Sequence, residues 1–294
     1  MKKTVSIPRR ILSVLWLLIK GVFLLYAVVF SIAGTLTLYA AYHFIIAPLS
    51  QVKALQDSNP IATAYMSRYR ARLGPHDALQ QFFVPLDSIS PELQHAVLAA
   101  EDDGFYTHPG FDIEAILAAV EYNRFQNEIK MGASTITQQL AKNLFLTNDK
   151  CFERKYKELF YALLLEKYLG KKRILELYLN YAQWGKIAFG CEAASRLYFK
   201  KSCGNLSQNE AALLAAVLAK PAKVSPTNPN SSFIEQRVAV IAVNLYLHHL
   251  IDDSGYMNLT GTPPPRKDSL GPLGAPGPID STAANPHRDS GSSR

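Results

Sequence analysis

An uncharged apolar run near the N-terminus limits what this chain can fold into more than any other feature. Residues 21–46 contain no Lys, Arg, Asp or Glu, and the run is longer than the ~20 apolar residues with which a helix crosses a bilayer. It ends in the bulky Phe44, Ile45 and Ile46, whereas a cleaved signal peptide ends in small residues. The sequence therefore predicts a retained transmembrane helix over 21–46.

The charges around this run predict its orientation. The first acidic residue of the chain is Asp57, and the residues before the run include only basic charges, at Lys2, Lys3, Arg9, Arg10 and Lys20. Because basic segments stay in the cytoplasm, we expect residues 1–20 to be cytoplasmic and everything after residue 50 to be exported. Export also argues against nucleic-acid binding, which the sequence pI of ≈ 9.2 could otherwise suggest.

The exported part divides by composition into a domain and a tail. Helical patterning runs from Ser90 to about Leu250 with few strand signals, so we expect one mainly α domain over 50–252. Residues 253–294 are rich in Pro, Gly and Ser and bury too little apolar surface to fold, which predicts a disordered tail. Neither a GxGxxG nor a GxxxxGK motif is present, which excludes dinucleotide and P-loop sites.

The chain has three cysteines, Cys151, Cys191 and Cys203, and none forms a CxxC pair. This spacing argues against a zinc or redox site. In an oxidising exported compartment Cys191 and Cys203 could form a disulfide, and the sequence leaves that question open.

The first segment with candidate catalytic residues runs from Glu101 to Asp112. Ser90 and Pro91 have the pattern of a helix start, and Leu93, Val97 and Glu101 then recur at four-residue steps. This places the Glu101 carboxylate on the apolar stripe at the helix C-terminus, where burial and the helix dipole both favour a raised pKa. The alternative is a solvated Glu that merely ends a helix.

Two further segments have features of an anion-binding site. Thr135 and Gln138 have the spacing of a capping box, and backbone N–H groups at a helix start bind anions, although an ordinary capped helix has the same pattern. From Lys142 to Arg173 there are nine basic and four acidic residues, an excess of five positive charges. A polyanionic ligand suits this excess, whereas the alternative is a helix surface with ordinary ion pairs.

Together these segments resemble the glycosyltransferase family 51 domain, the peptidoglycan polymerase module, and especially its monofunctional biosynthetic form. The resemblance covers about residues 61–230, and GCEAASRLYF and EAALLAAVLAKP belong to it. Two departures are Lys150, where the family commonly has Arg, and Cys191, where a small apolar residue is usual. The motif residues present in this chain are Glu101, Asp102, Phe105, His108, Gly110, Asp112, Gly132, Ser134, Thr135, Gln138, Gln139, Lys142, Asn143, Arg154, Lys155, Glu158, Ile174, Leu175, Glu176, Tyr178, Leu179 and Asn180.

The resemblance implies a lysozyme-like α fold that polymerises lipid II into a nascent glycan strand. Glu101 is then the general base for the acceptor hydroxyl, and the glycosidic bond forms with inversion. The pyrophosphate is held by Lys142, Lys150, Arg154 and Lys155. Glu158 either orients those cations or helps to bind a divalent ion such as Mg²⁺ or Mn²⁺, and no cofactor is otherwise expected. Ser134 and Gln138 are expected to hydrogen-bond sugar or phosphate, and Phe105, His108 and Asp112 to support the loop beside Glu101.

The resemblance also implies a place in the cell and excludes some activities. We expect a single-pass protein of the cytoplasmic (inner) membrane with a periplasmic catalytic domain, working beside other cell-wall synthesis or division proteins. Because no SxxK, SxN or KTG series follows the domain, we expect no transpeptidase activity. Two rivals are a lytic enzyme of lysozyme-like fold, which has no need of the basic cluster, and a structural division protein, which has no need of Glu101 and Glu158.

Overall fold

The computed structural model describes residues 9–74, 77–126, 132–146, 152–228 and 231–265. The fold is mainly α-helical, which confirms the predicted class. Two compact units divide after Ala54.

The described residues of the first unit form one long apolar helical segment. It consists of α1 (Arg9–Ala41), a π-helical turn (Tyr42–Ile46) and α2 (Ala47–Ala54). By length and composition, Ser13–Ala54 could cross a bilayer, and its apolar side chains are exposed, as Leu38 is to 74%. This is consistent with membrane anchoring. The helix extends beyond both ends of 21–46, and those bounds of the membrane span stay a prediction.

Across its described ranges, the second unit is a helical domain with one small pair of strands. The strands β1 (Gln80–Gln81) and β2 (Ala188–Phe189) pair in parallel. Short 3₁₀ turns lie at Leu86–Ser88, Cys203–Asn205 and Val217–Ala219. The helices of this unit are α3 (Ala64–Arg70), α4 (Pro91–Glu101), α5 (Ile113–Gln126), α6 (Ile136–Phe145), α7 (Phe152–Tyr181), α8 (Cys191–Phe199), α9 (Gln208–Ala216), α10 (Ser232–Leu247) and α11 (Asp253–Thr260).

Helix α4 packs against α9 and α10, and α6 packs against α7. Leu93 and Val97 of α4 are fully buried, so the predicted apolar stripe faces the core. Trp184, Tyr178 and Tyr181 are the largest fully buried side chains. Helix α7 is interrupted at Gly170, whose φ of 73° and ψ of 163° are not helical. The buried stripe of α4 therefore brings its last residue, Glu101, to the edge of the core.

A buried asparagine at the end of α7 fixes the segment that leads into α4. Asn180 is fully buried, and its amide accepts from Val84 N at 2.8 Å and donates to Val84 O at 2.9 Å. Gly190 has a φ of 81°, and a Cβ there would lie 2.5 Å from Asn180 O. The motif residue Asn180 thus pairs backbone groups that a strand partner would otherwise satisfy.

The C-terminal prediction is wrong at its start. Residues 253–260 were expected to be disordered, but they form α11, with Asp252 accepting from Gly255 N at 2.8 Å as the N-cap. Tyr256 is 6% exposed and contacts the Tyr246 ring of α10 edge-on. The ring contact and a hydrogen bond from the Tyr246 hydroxyl to Asp253 Oδ1 at 2.8 Å attach this short helix to α10. Residues 266–294 of the predicted tail lie outside the described residues.

Cys191 and Cys203 are both fully buried thiols. Their sulfur atoms lie 3.6 Å apart. The sequence left their pairing open, and the fold brings the two side chains into contact. Cys151 lies outside the described residues.

We expect Asn180→Ala to lower the free energy of unfolding by about 2 to 4 kcal/mol, because it leaves both polar backbone groups of Val84 unpaired. Chemical denaturation of the purified chain in detergent measures this. Asn209→Ala, on the exposed side of α9, is the matched control and should change the free energy by less than about 0.5 kcal/mol. Equal effects of the two substitutions would contradict the assignment.

Candidate active site

Glu101 is the last residue of α4, where the predicted helix signals are confirmed. Ser90 is the N-cap and accepts from Leu93 N at 3.1 Å, and Pro91 occupies the first turn. The helix ends because the backbone of Asp102 is not helical, with φ −169° and ψ 76°. Glu101 therefore lies on the buried stripe of α4 but beside a turn that opens the helix end.

Both carboxylate oxygens of Glu101 accept a hydrogen bond from another helix. Gln139 of α6 donates through Nε2 to Oε2 at 2.9 Å. Arg237 of α10 donates from a terminal guanidinium nitrogen to Oε1 at 3.1 Å. The Glu101 side chain is 13% exposed and that of Arg237 is 9% exposed. The carboxylate is thus held in one orientation and shielded from most of the solvent.

Burial raises the pKa of Glu101 above its usual value, as the sequence predicted. Arg237, Gln139 and Lys142 oppose the increase by stabilising the ionised form, and the Asp102 charge adds to it. A carboxyl with a raised pKa is suited to accepting a proton from a substrate hydroxyl.

The turn after α4 is organised by Asp102 and His108. Asp102 Oδ1 lies 2.8 Å from His108 Nε2, and its Oδ2 accepts from Ile136 N, the first residue of α6, at 2.8 Å. Gly110 N donates to His108 Nδ1 at 3.1 Å, so Nε2 carries the proton toward Asp102. Phe105 is fully buried in this turn. These contacts connect the end of α4 with the start of α6.

Asp112 acts further along the same segment. Its carboxylate accepts from Ala115 N at 2.9 Å, in the first turn of α5. Its contact is thus that of a helix-capping side chain, beyond the turn that Asp102 and His108 hold.

The predicted capping box opens α6. Thr135 accepts from Gln138 N, and Gln138 Oε1 accepts from Thr135 N, each at 3.2 Å. Gln138 is 3% exposed, so its side chain is committed to the helix start, whereas Ser134 is exposed at the surface. The next residue, Gln139, has the amide that reaches Glu101. We did not expect it among the site residues.

Gln139 is itself oriented by α7. Tyr178 donates its hydroxyl hydrogen to Gln139 Oε1 at 3.1 Å, which leaves the Gln139 N–H groups to face Glu101. Tyr178 is 1% exposed, and burial, with the nearby charges of Glu101 and Asp102, raises its pKa well above the usual value. The phenol therefore stays neutral and can keep donating.

The cationic side of the site is formed by Lys142 at the last turn of α6 and by Arg154 and Lys155 at the start of α7. Lys155 Nζ lies 2.5 Å from Glu158 Oε1 and 3.5 Å from Ser134 Oγ. Glu158 is 4% exposed. Lys150, the fourth predicted cation, lies outside the described residues.

Lys142 responds to both acidic residues of the site. Burial lowers its pKa, Arg154 and Lys155 add to the decrease, and Glu158 and Glu101 oppose it. Lys142 thus lies within electrostatic reach of both carboxylates. Among the described residues, no group of three His, Cys, Asp or Glu side chains could hold a metal ion. The observed contact of Glu158 is its ion pair with Lys155, and a role in binding a divalent ion stays a prediction.

Sequence reasoning missed Arg237. It lies 136 positions from Glu101, outside the motif segments from which the site was predicted, and no local spacing connects the two residues. The only available signal was an Arg directly before the apolar run VAVIAV. A charge at that place in a buried helix needs a partner.

A family model described as Transglycosylase matches residues 69–245. The chain belongs to the transglycosylase family. A protein named biosynthetic peptidoglycan transglycosylase from Alcanivorax borkumensis is 42% identical over 226 residues, which cover 77% of this chain and 89% of that protein. One of the same name from Nitrosospira multiformis is 42% identical over 195 residues, covering 65% and 84%, respectively. One from Haemophilus influenzae is 55% identical over 143 residues, covering 49% and 58%.

The predicted resemblance is thereby confirmed, and the chain is a glycosyltransferase enzyme. The residues matched by the family model include Glu101, the α6 capping box, the α7 cations and Arg237. The match assigns no roles to individual residues.

We expect Asp102→Ala to lower the free energy of unfolding by about 2 to 3 kcal/mol, because His108 and Ile136 N lose a charged partner. The matched control is the neighbouring Asp103→Ala, which loses only a half-exposed contact with His248 at 3.7 Å. That change should cost less than about 1 kcal/mol. Denaturation in detergent compares the two, and a larger effect at Asp103 would contradict this account of the turn.

Proposed function

We propose that the enzyme polymerises lipid II into linear peptidoglycan strands and releases undecaprenyl pyrophosphate, without transpeptidase activity. The observation that carries the proposal is the Glu101 carboxylate, which is buried, held through both oxygens and adjacent to a cationic cluster. A base beside cations suits a reaction in which a hydroxyl loses its proton while a pyrophosphate leaves. The names of the relatives, which are biosynthetic enzymes, agree with synthesis rather than lysis.

Glu101 is the general base in this proposal. It removes the proton from the sugar 4-hydroxyl of the acceptor lipid II, and the oxygen attacks the anomeric carbon of the growing strand with inversion. The hydrogen bonds from Gln139 and Arg237 aim the carboxylate, and its remaining lone pairs face the acceptor. The raised pKa keeps Glu101 basic enough to accept the proton.

The cations bind the leaving group. Lys142, Arg154 and Lys155 lie in the segment with the excess of positive charge, and we assign Lys150 to the same group from the sequence. They stabilise the negative charge that develops on the pyrophosphate. Glu158, being almost fully buried, keeps Lys155 in place and offsets the repulsion among the cations.

The apolar N-terminal helix fits this substrate, because a polyprenyl chain stays in the bilayer and the site must remain at its surface. We propose that the N-terminus is cytoplasmic and the catalytic domain periplasmic, in the inner membrane. The basic residues before the span support this orientation.

We expect Glu101→Gln to reduce lipid II turnover by ~10²- to 10⁴-fold with little change in lipid II affinity, because the amide keeps the shape but accepts no proton. Glu158→Gln is the comparison, and it should weaken lipid II affinity as well, since the exposed Lys155 ammonium loses its charged partner, the buried Glu158 carboxylate. Polymerisation of labelled lipid II and a binding assay measure both. Ordinary turnover by Glu101→Gln would move the base elsewhere, and cleavage of preformed glycan would indicate a lytic enzyme.

The proposed topology has its own test. An alkaline phosphatase fusion after residue 60 should be active and a cytoplasmic fluorescent reporter at the same position should be dark, because the basic N-terminus stays inside. Fusions of the same reporters before residue 9 should give the reverse pattern and serve as controls. If the fusions after residue 60 report a cytoplasmic location, the enzyme cannot reach exported lipid II.

A further inference from the structure

Two side chains of α10 bind the C-terminal end of α4. Arg237 donates from one terminal nitrogen to Ala100 O at 3.0 Å and to Glu101 Oε1 at 3.1 Å. Two helical turns further along α10, Asn244 donates to Ala99 O at 2.8 Å. The last carbonyls of a helix have no partner within it, so both side chains cap α4. Arg237 alone also reaches the carboxylate.

We propose that Arg237 is a positioning residue for the reaction, which keeps the Glu101 carboxylate ionised and aimed, whereas Asn244 only ties the two helices together. The proposal rests on the proposed role of Glu101 as the base. In this proposal Arg237 stabilises the ionised Glu101 carboxylate, which an uncharged capping side chain cannot do.

The charges around Glu101 make Arg237 the main counterion. On its own helix, Glu101 is followed by Asp102, which opposes ionisation. Helix α6 contributes the neutral Gln139 and the more weakly acting Lys142, and α7 contributes the neutral Tyr178. Helix α9, which also packs on α4, has Glu210, and that carboxylate pairs with Lys201 at 2.6 Å. Burial raises the pKa of Glu101, and Arg237 opposes it most strongly.

The environment of Arg237 is unfavourable for a residue that serves stability alone. The residue is 7% exposed, and within the described part of the chain its Nε–H meets no acceptor. A buried ion pair often stabilises a protein no better than apolar residues of similar size. A buried guanidinium with an unpaired N–H is therefore better explained by what it does to Glu101 than by its contribution to folding.

The position of Arg237 also suits a base that must gain and lose a proton. A counterion at 3.1 Å stabilises the carboxylate before the reaction, while the surrounding burial keeps the carboxylate basic. Catalysis by a general base is most effective when its pKa lies near the working pH. Burial raises the pKa of Glu101 and Arg237 lowers it, so the two act in opposite directions on the same carboxyl group.

The test compares the full-length enzyme in detergent with Arg237→Gln, Arg237→Lys and Asn244→Ala. Arg237→Gln keeps a donor for Ala100 O but has no charge, and Arg237→Lys keeps the charge. Lipid II turnover across a pH range gives the acidic limb of each profile. A ¹³C NMR titration of the Glu101 carboxyl group gives its protonation without any need for activity, and thermal unfolding reports on the fold.

We expect Arg237→Gln to move both the acidic limb and the NMR titration of Glu101 to higher pH. Turnover on the acidic side should fall on the order of 10- to 100-fold and recover as the pH rises, which is less than loss of the base itself. Arg237→Lys should return both curves most of the way to the wild type. Asn244→Ala should lower the melting temperature and leave both curves in place.

An unchanged titration of Glu101 in folded Arg237→Gln overturns the proposal, as does an equal displacement in Asn244→Ala. If Arg237→Gln does not fold, Arg237→Met, of similar volume and without charge, takes its place with the same expectations. If Glu101 is not the base, Glu101→Gln keeps ordinary turnover, but Arg237→Gln still moves the NMR titration of Glu101. The proposed function and the role of Arg237 can therefore fail separately.

Discussion

The C-terminal end of α4 is the point on which the site depends. Its backbone leaves the helix at Asp102, and two other helices bind the groups there. Helix α6 does so through Ile136 N, which donates to Asp102, and through the Gln139 amide, which Tyr178 of α7 orients. Helix α10 does so through Arg237 and Asn244. A helix end with unpaired carbonyls requires such partners. The same requirement brings donors to both oxygens of Glu101.

The site balances burial against charge. A carboxylate taken from water is destabilised, and the cost falls when cations and N–H groups are placed beside it. Arg237 and Gln139 donate hydrogen bonds to Glu101, and Lys155 forms an ion pair with Glu158. Lys142 is influenced by both carboxylates and by the two α7 cations. A polyanion that binds near these cations therefore enters a network in which each charge already depends on the others.

Local patterns in the sequence predicted the local parts of this arrangement. The Ser90 cap, the capping box of Thr135 and Gln138 and the Leu93–Val97–Glu101 stripe are set by contacts within a few residues, and all three are present. Arg237 could not be predicted, because its partner lies 136 positions away and the contact depends on how α10 packs against α4. The α11 error has a similar cause, since composition does not show that Tyr256 has a surface on α10 to contact.

The family resemblance does not show which motif residues contact Glu101 and which only stabilise the fold, whereas the contacts in the structure do. Glu101 and Gln139 face each other, whereas Gln138 closes a capping box and Asn180 pairs with the backbone of Val84. Glu176, four residues before Asn180, accepts from Leu86 N at 2.9 Å, so the same motif holds both ends of one segment. That segment leads directly into α4. The supporting residues therefore act on Glu101 through the position of the single helix that carries it.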